Sequence, residues 1–446
     1  MKRHYRLSCS LLSAIAILPA FNAFAGWEQV AQMPTTQAHF ITEAGLHLLS
    51  DLRDKRDGGI YYSEDGGQTW TNTGVKDYNY NKFYETSEYI FALGNSGRLA
   101  RSNDGGRTWE VLNYTNALRG IVDDKSLDSC ASYGMTEYEG KIYVCDFNGG
   151  GVLMSDDYGE SWKVTDHASM TFTTDGVTPV VDSFYNLAVL KGNIYAFGAL
   201  SVWRYDPSAD KWSAVNIRSN FMAVSTFVGD RLVCGRSVQN MDPEEAYLVW
   251  TEDGYTWNDI AAPEPPTELG VSLNVRAIHS DGEYIFTAGP DGIRHDESNP
   301  SFPFKFCPDF FYTSDMGASW DYIDGLPSNT YPLTLTSDAD YVYAAIYSPI
   351  PTNTVSGLWR LPKSDLKGSG SGVKEISATA KGVTSLSKGV LMFDMEVDSV
   401  EIWNVSGSLV GRAGKCSEID LNGLPSGTYI FKTVSENGEH SGKFIL

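Results

Sequence analysis

Apolar and polar residues alternate in short runs along most of this chain. Lys141-Ile142-Tyr143-Val144-Cys145, Asn193-Ile194-Tyr195-Ala196-Phe197, Tyr284-Ile285-Phe286-Thr287-Ala288 and Tyr341-Val342-Tyr343-Ala344-Ala345 are β-rich runs of this kind. Each follows a turn containing Gly or Asp, such as Glu139-Gly140 or Ser280-Asp281-Gly282-Glu283. Strands at regular spacing with turn signals between them, and almost no 3.6-residue periodicity, predict an all-β protein.

A second pattern recurs between the runs. Ser63-Glu64-Asp65-Gly66-Gly67-Gln68-Thr69-Trp70 returns almost unchanged at Ser102–Trp109. It returns with the template S/T-x-D-x-G-x-T/S-W at Ser155–Trp162 and Thr313–Trp320, and one residue shorter at Thr251–Trp257. A repeat of this length predicts a repeat architecture. An alternating strand leads into each copy, as in Gly59-Ile60-Tyr61-Tyr62, and a second strand starts at the Trp. The aspartates Asp65, Asp104, Asp157, Asp253 and Asp315 can accept hydrogen bonds from amides of their own turn. The Gly supplies a positive φ, and the hydroxyl can tie the two arms together. Trp70, Trp109, Trp162, Trp257 and Trp320 offer apolar surface between neighbouring sheets. These residues are expected to hold hairpins, not to do chemistry.

The motif resembles the Asp-box, or bacterial neuraminidase repeat, of β-propellers. The resemblance implies fold and little about activity, because unrelated functions share the box. A degenerate copy at Val202–Trp212 fills the gap between Trp162 and Trp257, giving six complete units. A seventh leading strand, Gly357-Leu358-Trp359-Arg360-Leu361, has no Trp strand after it, while Gly26-Trp27-Glu28-Gln29-Val30 is a Trp strand without a partner before it. The expectation is a seven-bladed propeller over residues 26–366, closed by the N-terminal strand.

Both ends of the chain differ in style. Residues 1–25 read as a secretory signal peptide, with Lys2, Arg3 and Arg6 ahead of an apolar run and Ala23-Phe24-Ala25 as the cleavage site. Residues 367–373 are a Gly/Ser linker by composition. Residues 374–446 carry short alternating strands, including Val400-Glu401-Ile402-Trp403-Asn404 with Gly407, Leu424-Pro425-Ser426-Gly427-Thr428-Tyr429 and a short terminal strand. This tail resembles the C-terminal sorting domain of type IX secretion cargo in Bacteroidetes. The resemblance implies a small β-sandwich, a secretion machinery as partner, and a secreted or outer-membrane surface location. The terminal strand ends in Leu446, where that family usually has a basic residue.

The formal charge is −22, and losing Lys2, Arg3 and Arg6 takes it to −25. Such acidity argues against nucleic acid and anionic lipid as partners. Cys130, Cys145, Cys234, Cys307 and Cys416 would remain after processing and match no zinc or redox spacing. Cys130 and Cys145 fall out of register across the Glu139-Gly140 turn, which favours free thiols over a bridge. No HExxH, GxSxG, P-loop or EF-hand pattern occurs. Asp123-Asp124-Lys125-Ser126-Leu127-Asp128 is a weak calcium candidate. No metal and no cofactor are expected.

Propeller ligands usually sit at one end of the central channel, so the long loops and innermost strands hold the candidates. His39, Tyr185, Arg276, His279 and Tyr331 are placed on inner strands, and Arg53, Asp182, Arg236 and His295 in long loops. Together they would make a polar, aromatic mouth suited to a sugar or peptide. Sialidases of this repeat family use an arginine triad whose first member lies in an F/Y-R-I/L-P segment. Here that strand reads Ala38-His39-Phe40-Ile41-Thr42, and such sialidases have six blades, so sialidase activity is not expected. Another glycosidase would need two carboxylates roughly 5–10 Å apart, with Asp51, Asp182, Asp242 and Asp296 as loop candidates. The first expectation is a non-catalytic surface module that binds a glycan or extracellular protein. A carbohydrate-active hydrolase is the second. The third is an assembly scaffold, the role some seven-bladed propellers with this repeat play in photosystem assembly.

Overall fold

The computed structural model describes residues 23–24, 26–33, 36–51, 59–75, 79–173, 179–198, 201–215, 224–235, 248–261, 263, 275–289, 292–295, 304–307, 309–327, 329–348, 354–366, 385–387, 390–404, 409–421, 424, 428–435 and 438–445. The protein is all-β, and the described helices are four short 3-10 segments. Two compact units divide the chain: Met1–Asp338 with Tyr343–Arg360, and Ala339–Val342 with Leu361–Leu446.

Seven antiparallel sheets of four or five strands, and two two-stranded hairpins, occupy the part up to Pro362 among the described residues. Their innermost strands are Thr36–Ile41 in sheet I, Tyr80–Glu85 in II, Ser132–Tyr138 in III, Phe184–Leu190 in IV, Val224–Val228 in V, Ala277–Ser280 in VI and Tyr331–Ser337 in VII. Each inner strand neighbours the next, and the strand of sheet VII neighbours that of sheet I. Sheets I to VI run outward in chain order through four strands. Sheet VII takes its fourth strand from the far end of the chain. Trp27–Gln32 pairs antiparallel with Gly357–Pro362, with Glu28 opposite Arg360 and Gln29 opposite Trp359. Gly357 sits at φ 143, and a Cβ there would lie 1.8 Å from the Ala31 carbonyl oxygen, so this junction admits only glycine. Ala23–Phe24, inside the predicted leader, adds a short fifth strand.

The repeat builds these sheets in a uniform way. In the first box the Ser63 hydroxyl donates to Asp65 Oδ1 at 2.8 Å, and the Gly67 N–H donates back to Ser63 Oγ at 2.9 Å. The Thr69 N–H and hydroxyl reach the two Asp65 oxygens at 2.8 and 2.6 Å. Asp104 and Asp157 repeat the hydroxyl bond to the fourth residue on at 2.6 Å, as does Asp315. Burial pushes the Asp104 carboxyl up, but bonds from Thr108, Ser102 and Arg107 outweigh it and hold it at about 2. The box Trp then packs against a neighbouring sheet. Trp109 joins a core of Ala38, Leu48 and Ile60 from sheet I with Phe83, Ile90 and Ala100 from sheet II. The degenerate copy also buries its Trp against the preceding sheet: Trp212 joins Tyr143, Val152 and Met170 in one core, and its indole N–H donates to Thr165 Oγ1 at 2.9 Å.

Several connections within and between the sheets carry structure of their own. Residues between sheets II and III form two 3-10 segments, Thr115–Leu118 and Asp124–Ser129. Asp123 caps the second through the Lys125 N–H, which gives the weak calcium candidate a structural job. Short hairpins occupy Thr171–Thr173 with Pro179–Val181 and Gly292–His295 with Phe304–Cys307. Cys130, Cys145, Cys234 and Cys416 are free thiols. Cys145 lies opposite Gly134, four residues beyond Cys130, as the register argument expects.

The second unit has a three-stranded sheet, Ser385–Ser387, Val390–Val397 and Cys416–Asp420. A four-stranded sheet runs in the order Leu409–Ala413, Ser399–Asn404, Thr428–Ser435 and Gly438–Ile445. Leu391, Phe393, Val400, Ile402, Ile419 and Phe431 from both sheets share one core. The Gly/Ser stretch 367–373 lies outside the described residues.

Candidate functional site at the channel mouth

One irregularity recurs at the start of the inner strands. In sheets I to IV the register between the first and second strands skips one residue: Gln37, Asn81, Tyr133 and Tyr185. A bulge of this kind breaks the ladder for one residue and re-aims its side chain. All four residues are half-buried. Arg276 stands at the matching place in sheet VI, its N–H donating to the Ala288 carbonyl at 3.3 Å. The bulges share the end at which inner strands begin and second strands finish, so the loops joining second to third strands and one sheet to the next gather there as well.

The side chains at this end form an aromatic and polar rim. Tyr133, Phe147 and Tyr185 make a mutual cluster, with ring centroids 5.6, 6.1 and 5.1 Å apart. The exposed Arg276 guanidinium lies 4.8 Å from the centre of the Tyr331 ring. Asn81 donates to Asn95 Oδ1 at 2.8 Å. Burial pushes the Tyr185 phenol up to about 12, with Tyr133 and Asp182 adding to it, so it stays a neutral hydrogen-bonding group. Behind the rim a cavity of about 490 Å³ is walled by all seven inner strands. Its described lining holds no carboxylate, and Lys82 is its one lysine or arginine.

The sequence candidates distribute unevenly over this site. Tyr185, Arg276 and Tyr331 stand together at the rim. His39 borders the cavity, but its ring is buried and turned into the wall, 2.5 Å from Thr336 Oγ1 and 3.2 Å from His47 Nδ1. His279 pairs with Ser337 Oγ at 2.8 Å farther along the same wall. Asp182 is buried, accepting from the Ser201 hydroxyl at 2.7 Å and the Ser183 N–H at 2.9 Å. Asp51 is fully buried at the end of its strand. His295 lies on the strand Gly292–His295. Arg53, Arg236, Asp242 and Asp296 lie outside the described residues. Sequence reading missed Asn81, Lys82, Tyr133 and Phe147. A signal existed: Asn81, Tyr133, Tyr185 and Arg276 each stand nine residues ahead of an isoleucine, Ile90, Ile142, Ile194 and Ile285.

Comparison with known proteins bears on the fold and the tail. Residues 61–72 match the BNR/Asp-box repeat, and residues 380–446 match the secretion system C-terminal sorting domain. The chain joins an Asp-box β-propeller to a type IX sorting tail. That tail directs type IX secretion to the cell surface or outer membrane, and implies interaction with the type IX machinery. The propeller YCF48 from Cyanidioschyzon merolae is similar in structure, with TM-score 0.50 and 13% identity over 77% of this chain and 100% of its own. At that identity the likeness concerns fold alone. The extracellular domain of BT4673 from B. thetaiotaomicron matches with TM-score 0.49 and 10% identity, covering 95% of this chain and 59% of its own. Among curated proteins, YkuO of Bacillus subtilis (strain 168) is 27% identical over 148 residues, or 31% of this chain. The match spans 42% of the length of that relative.

Proposed function

We propose that the protein is a surface-exposed, non-catalytic recognition module that binds a glycan at the channel mouth. In this reading residues 1–25 are removed as a leader, and residues 26–366 form seven blades closed by the N-terminal strand. Residues 367–373 link them to a small β-sandwich over 374–446. The cyclic order of the seven inner strands and the pairing of Trp27–Gln32 with Gly357–Pro362 support the blade count.

The observation that carries the binding reading is the recurring bulge. It delivers Asn81, Tyr133, Tyr185 and the Arg276 position to one rim without disturbing the sheets behind them. An aromatic cluster at the same end of the channel as amide and guanidinium groups suits a sugar, which offers an apolar face and a ring of hydroxyls. The described lining brings no two carboxylates to the lumen, and buried Asp182 is occupied by Ser201 and Ser183, which favours binding over hydrolysis.

The test is a glycan array with the full chain, run beside a hydrolysis screen on the same glycans. Retention of a glycan without product release is expected. Product release would overturn the non-catalytic reading, and retention of proteins alone would overturn the glycan reading.

A further inference from the structure

Lys82 is the unusual residue of the lumen. It directly follows the bulge residue Asn81 and lies opposite Leu93, so it stands one step below the rim. Gly134 holds the same register position in the next sheet, directly after Tyr133. Lys82 is half-buried in the cavity wall. Most polar groups around that wall engage one another: Asn81 with Asn95, Asn186 with Ser225, His39 with Thr336 and His279 with Ser337. The Lys82 ammonium has neither an ion pair nor a hydrogen bond among the described residues. Besides burial, the ionisable group that acts on it is the Cys145 thiol, which burial pushes up to about 12 and so keeps neutral.

Burial lowers the Lys82 amine from its usual value, and with no counter-charge among the described residues an incoming anion is what favours its ammonium form. The protein around it carries a net charge of −22, so a polyanion would be repelled from the outer surface. A ligand with one negative charge small enough for the lumen meets both conditions.

We infer that Lys82 is the anchor for an acidic sugar: its ammonium takes the carboxylate of a uronic acid whose ring rests against Tyr133 and Tyr185. The inference rests on the glycan reading above and sharpens it to a charge class. The carboxylate supplies the counter-ion that the described wall lacks, and charge-assisted hydrogen bonding makes Lys82 the chief source of selectivity over neutral sugars.

The experiment uses the full chain and glucuronate, glucose and acetate at equal concentration. Acylation of Lys82 by a limiting amine reagent is followed by mass spectrometry of its peptide. Glucuronate should slow Lys82 acylation about tenfold relative to glucose, the scale of one charged hydrogen bond. In calorimetry, Lys82→Met should weaken glucuronate binding by about the same factor, and Lys82→Arg should restore most of it. Equal protection by glucuronate and glucose, or unchanged binding in Lys82→Met, overturns the inference. Neutral glycans retained on the array with Lys82 unprotected would also overturn it, while leaving the glycan reading intact. A silent array with Lys82 protected by glucuronate and acetate alike would keep the anion site and overturn the glycan reading.

Discussion

His39 Nε2 lies 3.2 Å from His47 Nδ1, so the two rings share a single proton between them. One ring must donate and the other accept, which requires an unprotonated nitrogen at this contact. The pair sits where sheet I meets sheet VII: His39 also contacts Thr336 and packs on the Tyr343 ring at 5.2 Å. Burial lowers the His39 imidazole well below its usual value, with His47 and His279 adding to it. Burial also lowers His47, partly opposed by Asp338 and Asp65.

The sign of the pH dependence follows. With both folded values below the ordinary 6.5, the unfolded chain binds more protons on the acid side. The contribution is present above about pH 6.5 and is lost as pH falls through that value toward the lowered folded ones. Each proton involved costs up to about 1.4 kcal/mol per pH unit. Urea midpoints measured from pH 7.5 to 5 should fall, and His47→Gln should flatten the slope. A variant slope equal to that of the wild type would exclude this pair as the source.

The N-terminal strand should be indispensable to the last sheet. Trp27 is fully buried, its ring meeting Phe310 edge-on at 5.1 Å, and Gln29 donates to the Thr354 and Ser356 carbonyls at 3.1 Å. Trp27→Ala should cost about 3–5 kcal/mol, read as a shift in urea midpoint. Deleting residues 26–30 should lower Tm further. An unchanged Tm for the deletion would refute closure by this strand.

Asp104→Ala removes a carboxylate that organises one whole turn. It should cost about 1–3 kcal/mol and leave ligand affinity unchanged, because the turn lies at the opposite end of its sheet from the bulges. Loss of affinity at unchanged stability would point to a ligand contact at the box.

Tyr185→Ala should behave in the opposite way. The residue stands outside the sheet ladder, so the sheets should persist with a modest loss of Tm from the Tyr133–Phe147 cluster, while glycan affinity drops by about tenfold, or about 1.4 kcal/mol. Tyr185→Phe keeps the ring and should retain most of the affinity. Equal losses for both variants would shift the role from the ring face to the hydroxyl.

The frame was more legible in the sequence than the site. Asp65, Gly67, Thr69 and Trp70 reveal a turn because each is chosen for local chemistry within eight residues, and local chemistry is written contiguously. The match of Trp27 to the orphan strand at Trp359 was legible because both halves of a repeat were present, only separated. His39 shows the limit. Its place on an inner strand was readable, but its ring turns toward His47 because of partners on a strand almost 300 residues away. Lys82 carried no local signal at all. Its significance lies in the absence of a carboxylate from the described cavity lining, which seven separate strands build and no window of sequence displays.

Glu28 and Arg360 are 332 residues apart in the chain yet form an ion pair on neighbouring strands. The strand Trp27–Gln32 therefore waits for almost the last of the adjoining repeats before it has its place in sheet VII. A chain truncated before Gly357 would leave Trp27 stranded, with a large apolar ring in water and an open strand edge, the features that proteases and chaperones detect. Pairing the two ends in one sheet thus ties the burial of the first box-less Trp to the synthesis of Gly357–Pro362: only a chain made that far can hide Trp27 in this way.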